Sequence, residues 1–156
     1  MDWLAPVSAV IGGGIAVASG WTVERSRWKR EEVRQERDRR TTLYADYLAA
    51  VLSAREQIWH ASRWRELPRA ERIAMARNSL RDFQVYPMRD RVLLVGPPRL
   101  GELSYEIVRR LTAYRDAMIE EVNDGEAELQ TAWDAFNEAR DALTIAMRID
   151  LDSLRI

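Results

Sequence analysis

Histidine and cysteine, two residue types that often carry out catalysis, are scarce in this sequence. The sequence has one histidine, His60, and no cysteine, which excludes thiolate chemistry, disulfides and a metal site built from several histidines of one chain. A lone histidine beside Trp59 is typical of a structural or surface residue, with a pH-sensing role as the alternative. Carboxylates that could recruit a cation lack the spacing of a metal-binding loop, which favours a solvated turn: Glu120, Glu121, Asp124, Glu126 and Glu128.

One short motif has the outline of a nucleotide site. The apolar run at residues 92–95 leads into the loop GPP at residues 96–98 and, after Gly101, into a predicted helix. This pattern resembles the nucleotide-binding loop of AAA-type ATPases, whose GPP is followed by two residues and then by Gly-Lys-Ser/Thr. Here Glu102 stands in place of the phosphate-binding lysine and Leu103 in place of the Mg²⁺-binding hydroxyl, and a carboxylate repels phosphates. We therefore interpret GPP as a loop between two elements.

The remaining composition predicts a protein that is not an enzyme. No nucleophile–base pair, metal site or cofactor motif is present, so we expect no catalytic residue, no cofactor and no small-molecule substrate. A formal net charge of −1 gives no support to nucleic-acid binding. Aromatic residues at helical spacing could stack on a ligand, but the spacing favours packing: Tyr44, Tyr47, Trp59 and Trp64.

Residues 3–23 are predicted to form a transmembrane helix. They contain 21 positions without a charge, which as a helix measure roughly 31 Å, about the thickness of a bilayer core. Trp3 and Trp21 stand near the two ends, where indole rings prefer the headgroup interface. The alternatives are a buried core helix and a cleaved signal peptide. The signal peptide is disfavoured because the start of the chain carries no basic residue.

The charges that flank this segment predict its orientation. No arginine or lysine precedes it, whereas several follow it. By the positive-inside rule, the N-terminus lies outside the cell and residues 24–156 lie in the cytoplasm, which makes this a single-pass protein of the cell membrane. The residues expected to anchor it at the membrane surface are the two flanking tryptophans, Trp3 and Trp21, together with Arg25, Arg27, Lys29 and Arg30.

Small residues recur every four positions within the predicted membrane segment and therefore share one side of the helix. Such a face lets a second helix approach closely, so we expect self-association and a homo-oligomer. The alternative is that glycine and alanine are simply frequent in membrane helices. The predicted interface residues are Ser8, Gly12, Ala16 and Gly20.

The rest of the chain is predicted to be helical, in two parts. Residues 24–42 mix both charge signs at helical spacing and form a solvated stalk that continues the membrane helix. From residue 43 to 156 the apolar spacing predicts four amphipathic helices in an antiparallel, up-and-down bundle. Pro87 is expected to end the second helix, residues 92–95 are the one strand-like run, and the predicted core positions follow helical spacing: Tyr44, Tyr47, Val51, Ala54, Ile58, Ala61, Ile73, Ala76, Leu80, Phe83, Leu100, Leu103, Ile107, Leu111, Tyr114, Met118, Val122, Leu129, Trp133, Phe136, Leu143 and Met147.

The stretch RQERDRRTTLYADYLAAVLSAR, residues 34–55, resembles that of uncharacterised actinobacterial single-pass membrane proteins with an Arg-rich helical cytoplasmic region. The resemblance implies the same layout of anchor and helical region and implies no activity. The membrane segment, its small-residue face and the bundle predict a scaffold that is anchored in the lipid bilayer and presents its bundle to a cytoplasmic protein partner. The alternative function is a pore-forming or membrane-perturbing effector that assembles through the glycine-rich helix.

Overall fold

The computed structural model describes the backbone of residues 5–121 and 126–154, and the side chains of residues 27–120 and 127–154. Within these ranges the chain is helical and contains no strand, which confirms the all-α prediction. The helices are α1 (Ala5–Arg63), α2 (Arg69–Asp82), α3 (Val85–Val95), α4 (Pro98–Glu121) and α5 (Glu126–Ser153).

Side-chain contacts show how the helices run past one another to form the bundle. Gln57 of α1 donates to the carbonyl of Met75 in α2 at 3.0 Å, close to the turn that joins these two antiparallel helices. At the other end, where the stalk enters, the hydroxyl of Tyr47 donates to the carbonyl of Ser104 early in α4 at 3.1 Å. The last turns of α5 return to this stalk end. Helices α2 and α3 together form one leg of the bundle, and α1, α4 and α5 form the other three.

The core of the bundle lies where the apolar spacing predicts it. Every predicted core position of α1, from Tyr44 to Ala61, is buried, and so are most of those predicted in α4 and α5. The largest side chains with almost no exposed surface are Tyr47, Tyr114, Phe136, Ile58 and Leu80. Burial of a Leu, Ile or Phe side chain contributes about 1.5–3 kcal/mol each, so this continuous core is the main source of stability.

The second leg of the bundle differs from the sequence prediction in two ways. The helix breaks at Phe83 and Gln84 rather than at Pro87, because Gln84 takes a left-handed backbone with φ 54°. Pro87 lies in the first turn of α3, where a missing N–H costs little. Phe83 is the C-cap residue of α2 and lies in the turn rather than on the core-facing side of a helix, so it is 37% exposed and leaves the predicted core. Residues 92–95, predicted to be strand-like, form the last turn of α3, where Val92 is buried and Leu94 is exposed.

The predicted transmembrane segment receives no support from the fold. In the part of the chain that the structure describes, no helix combines the length and the apolar character needed to cross a membrane. Of the predicted segment, residues 3 and 4 lie outside the described residues, and residues 5–23 have a described helical backbone only. The transmembrane helix therefore stays a prediction.

Candidate interaction site at the stalk of helix α1

Helix α1 extends well beyond the bundle. All side chains from residue 27 to residue 32 are exposed, Val33 is the first that is partly covered, and Tyr44 is the first that is fully buried. Because the helix is continuous, residues 24–42 place about 28 Å of rod between residue 23 and the bundle. The stalk therefore sets the distance between the predicted membrane segment and the folded core.

The outer part of the stalk presents basic groups and one large aromatic ring. Arg27, Lys29 and Arg30 are exposed, and the indole of Trp28 is 74% exposed. Arg27, Arg30 and Arg34 are spaced three and four apart and so share one side of the helix. The neighbouring acidic residues Glu31 and Glu32 are exposed as well, so both charge signs reach solvent on this part of the stalk.

Hydrogen bonds hold the base of the stalk to the end of α5. One nitrogen of the Arg40 guanidinium lies 3.1 Å from both carboxylate oxygens of Asp150. The Nε of Arg40 donates to Glu36 at 2.8 Å, one helical turn away. The hydroxyl of Tyr44 donates to Oδ2 of Asp150 at 2.7 Å. We call these four side chains the junction network: Glu36, Arg40, Tyr44 and Asp150.

The part of the junction network around Asp150 is largely shielded from solvent. The Asp150 side chain is 9% exposed and that of Arg40 is 20% exposed. Burial, together with the hydrogen bond to Asp150, raises the pKa of the Tyr44 hydroxyl well above its usual range. The pKa of Arg40 is also raised, chiefly by its hydrogen bond to Glu36. Within the network the arginine is therefore charged and the tyrosine neutral, and their contacts with Asp150 join the base of the stalk to the end of α5.

For most of the residues predicted to lie in or at the membrane, the side chain is outside the described part of the structure. Trp3 lies outside the described residues. Of the predicted surface anchors, Arg27, Lys29 and Arg30 lie exposed on the stalk. The other predicted positions belong to the helical backbone of α1, and their side chains lie outside the described part: Ser8, Gly12, Ala16, Gly20, Trp21 and Arg25.

The structure separates the aromatic residues that could have formed a ligand box. Tyr44 and Tyr47 are buried in the core near the stalk end. Trp59 and Trp64 lie at the other end of the bundle and are 37% and 52% exposed. His60 lies between these two rings, with its centroid 5.1 Å from that of Trp59 and 6.0 Å from that of Trp64. The two pairs therefore do not form one site.

The GPP loop joins two antiparallel helices, as its interpretation as a connection predicted. Gly96 ends α3 and Pro98 begins α4, so no strand leads into the loop. A Cβ at Gly101 would lie 2.9 Å from Cδ2 of Leu93, which shows how closely α3 and α4 approach here. Glu102 pairs with Arg99 at 2.9 Å on the surface of α4. The GPP motif thus forms a short, tight connection between α3 and α4.

Sequence reasoning missed the junction network and the cluster of rings around His60. Arg40 and Asp150 are 110 positions apart, and no local pattern marks that pairing. The alternation of aromatic and basic residues in WHASRWR, residues 59–65, was the available signal for the cluster. Helical spacing placed Tyr44 and Tyr47 in the core but did not show that the rings of Trp59 and Trp64 lie beside His60.

The acidic residues considered for a cation do not form a described site. Glu120 and Glu128 have described side chains, whereas residues 121–126 do not. Among the side chains that the structure describes, no group of histidine, aspartate and glutamate is arranged to hold a metal ion. No protein-family model, curated protein or solved structure matches this chain, so its function is inferred from its own residues.

Proposed function

We propose that the protein is a membrane-anchored scaffold that self-associates through residues 3–23 and presents its helical bundle to a cytoplasmic partner. The observation that carries this proposal is the continuity of α1. One helix includes most of the uncharged segment, then the charged stalk, and then the core positions from Tyr44 to Ala61. Because this helix is continuous, a membrane anchor at its start would set the distance between the bundle and the bilayer.

The exposed stalk gives a second reason for an anchor at its outer end. Side chains at residues 27–32 have no packed core beside them, and in proteins most helical stability comes from tertiary packing of this kind. Local pairs such as Gln35 with Glu31, at 3.3 Å, add only a few tenths of a kcal/mol each. A bilayer would hold the outer end of this helix as the bundle holds its inner end.

The first experiment tests the anchor by extraction of membranes with alkaline carbonate. We expect the full chain to stay in the membrane pellet. Ile11→Asp combined with Ile15→Asp should release it, since an acidic residue at the centre of a membrane helix costs about 2.5–3.5 kcal/mol. Ile145→Asp, at a position on α5 that is 57% exposed, is the matched control and should stay in the pellet. Release of the unaltered chain by carbonate would contradict the proposal.

The second experiment tests self-association. The chain has no cysteine, so a single cysteine placed at Ser8 reports one contact. We expect mild oxidation in membranes to give a disulfide-linked dimer, and we expect Gly12→Leu to abolish it by preventing close approach. A dimer of unchanged yield in the Gly12→Leu variant would contradict the predicted interface.

The alternative is a pore-forming or membrane-perturbing effector. The same small-residue face would then let several copies of the helix assemble into an oligomer in the membrane. Loss of membrane potential on expression of the full chain, reversed by Gly12→Leu, would favour it. Normal growth and normal potential at high expression would favour the scaffold.

A further inference from the structure

The end of α1 that lies farthest from the stalk carries exposed aromatic and basic residues. Trp59 and Trp64 enclose His60, and the Arg63 guanidinium lies 5.5 Å from the centre of the Trp59 ring. Arg65, the residue directly after Trp64, is also exposed. We call these five side chains the tryptophan–arginine corner: Trp59, His60, Arg63, Trp64 and Arg65.

The aromatic rings of this corner are exposed to solvent, whereas other aromatic rings of the chain are buried in the core. The large aromatic residues Tyr47, Tyr114 and Phe136 are almost wholly buried, whereas Trp64 is 52% exposed and the His60 side chain 50%. Trp64 lies just past the end of α1, where its backbone N–H still bonds to the carbonyl of His60 at 3.0 Å. Tryptophan and arginine are the residue types that contribute most often to binding energy at protein interfaces. The corner therefore has the composition of a binding surface.

The charges at the corner favour an anionic partner. Elsewhere many arginines pair with a neighbouring carboxylate, such as Arg99 with Glu102 at 2.9 Å. Arg63 and Arg65 form no ion pair with a carboxylate in the described part of the chain. The nearest acid on α1, Glu56, is already contacted by Arg55 at 3.1 Å and by His60 at 3.4 Å. Residues 59–69 hold three arginines and one glutamate. Two guanidinium groups are thus available for carboxylates from outside.

We propose that the tryptophan–arginine corner binds an acidic peptide segment of a partner protein. Carboxylates of the segment pair with Arg63 and Arg65, and an apolar side chain packs on the ring of Trp64. The inference rests on the proposed function for its setting, because about 54 Å of α1 separates residue 23 from Trp59 and places the corner on the side of the bundle away from the membrane. The binding contacts themselves do not depend on the anchor.

The test uses purified full-length protein in mild detergent and fluorescence anisotropy. The probe is a fluorescein-labelled peptide of alternating glutamate and leucine, compared with the same peptide carrying lysine in place of glutamate. We expect the acidic peptide to bind, more weakly as salt is raised, and the basic peptide not to bind. Arg63→Gln with Arg65→Gln, and separately Trp64→Ala, should each weaken binding about tenfold, as residues that dominate an interface do.

The matched control removes the same charge from another part of the surface. Arg77→Gln with Arg81→Gln alters two exposed arginines farther along α2 and should leave the affinity unchanged within about twofold. Circular dichroism confirms that each variant keeps its helical content. Absence of binding, equal weakening by the control pair, or tighter binding of oligothymidylate than of the acidic peptide would overturn the proposal, and the last result would indicate nucleic acid. Membrane extraction tests the anchor separately, so the two proposals can fail independently.

Discussion

Breaking the junction network should weaken the bundle measurably, and Arg40→Met is the sharpest way to break it. The substitution keeps the length and helix propensity of the side chain but removes its contacts with Asp150 and Glu36. The Asp150 carboxylate, 9% exposed, then keeps the Tyr44 hydroxyl as its remaining described partner. A largely buried charge that loses its counterion is costly, because the protein no longer compensates for the water that the carboxylate lost on folding.

The expected loss of stability in Arg40→Met depends on how deeply the Arg40–Asp150 ion pair is buried. Removing one partner of a fully buried ion pair costs about 3–5 kcal/mol. Arg40 is 20% exposed, so solvent reaches this pair in part and we expect about 2–3 kcal/mol of destabilisation. The contact with Glu36, whose side chain is 35% exposed, adds no more than about 0.5 kcal/mol.

Urea unfolding of the full-length protein, followed by circular dichroism, measures this loss. Arg99→Met is the matched control, since Arg99 and Glu102 form a pair that is 71% and 68% exposed, and it should cost less than about 0.5 kcal/mol. Asp150→Asn should destabilise the unaltered protein but should restore stability to the Arg40→Met variant, because it removes the stranded charge. A loss no larger than that of the control, or strictly additive effects of Arg40→Met and Asp150→Asn, would refute the reasoning.

Three further predictions concern single side chains. The hydroxyl of Ser104 is buried without a hydrogen-bond partner in the described part of the chain, so Ser104→Ala should leave stability unchanged or raise it by about 1 kcal/mol in urea unfolding, and a marked loss would contradict this. Gln84 has a left-handed backbone with φ 54°, so Gln84→Gly should raise the free energy of unfolding by up to about 1 kcal/mol, and destabilisation would show that its side chain is needed there. The pKa of Tyr44 is raised in the folded state, so its contribution to stability is fully present below pH of about 10 and is lost as pH rises further, since the unfolded chain then releases a proton that the folded chain retains. Unfolding above that pH should therefore depend less steeply on pH in Tyr44→Phe than in the unaltered protein, and identical slopes would contradict the account.

The helical core could be predicted from the sequence because it depends on local periodicity. The spacing that connects Tyr44 to Ala61, and Leu100 to Met118, requires only that one face of each helix be apolar. The break in the second leg could not be placed in the same way. Proline at residue 87 is a strong local signal, but the backbone turns three residues earlier, at Gln84, where nothing in the residue type favours a left-handed conformation.

The candidate sites were less predictable because they depend on contacts between distant parts of the chain. The junction network requires Asp150, at the end of α5, to lie beside Arg40, and charge pattern along either helix does not identify that pair. Trp59 and Trp64 are exposed because one lies on the outer side of α1 and the other just past its end, and the end of a helix is hard to place from sequence. The charged stalk, by contrast, was visible as a run of charges of both signs after an uncharged segment.

Single-cysteine labelling tests the central claim most directly, because the chain has no cysteine of its own. One variant carries Asp2→Cys, before the predicted membrane segment, and the other carries Ser153→Cys, at the end of α5. With a maleimide that cannot cross membranes, we expect Asp2→Cys to be labelled in intact cells and Ser153→Cys only after the cells are permeabilised, with both proteins in the membrane fraction. Protection of both positions in intact cells, with the protein outside the membrane fraction, would contradict the anchor, and the reverse pattern of labelling would contradict its orientation.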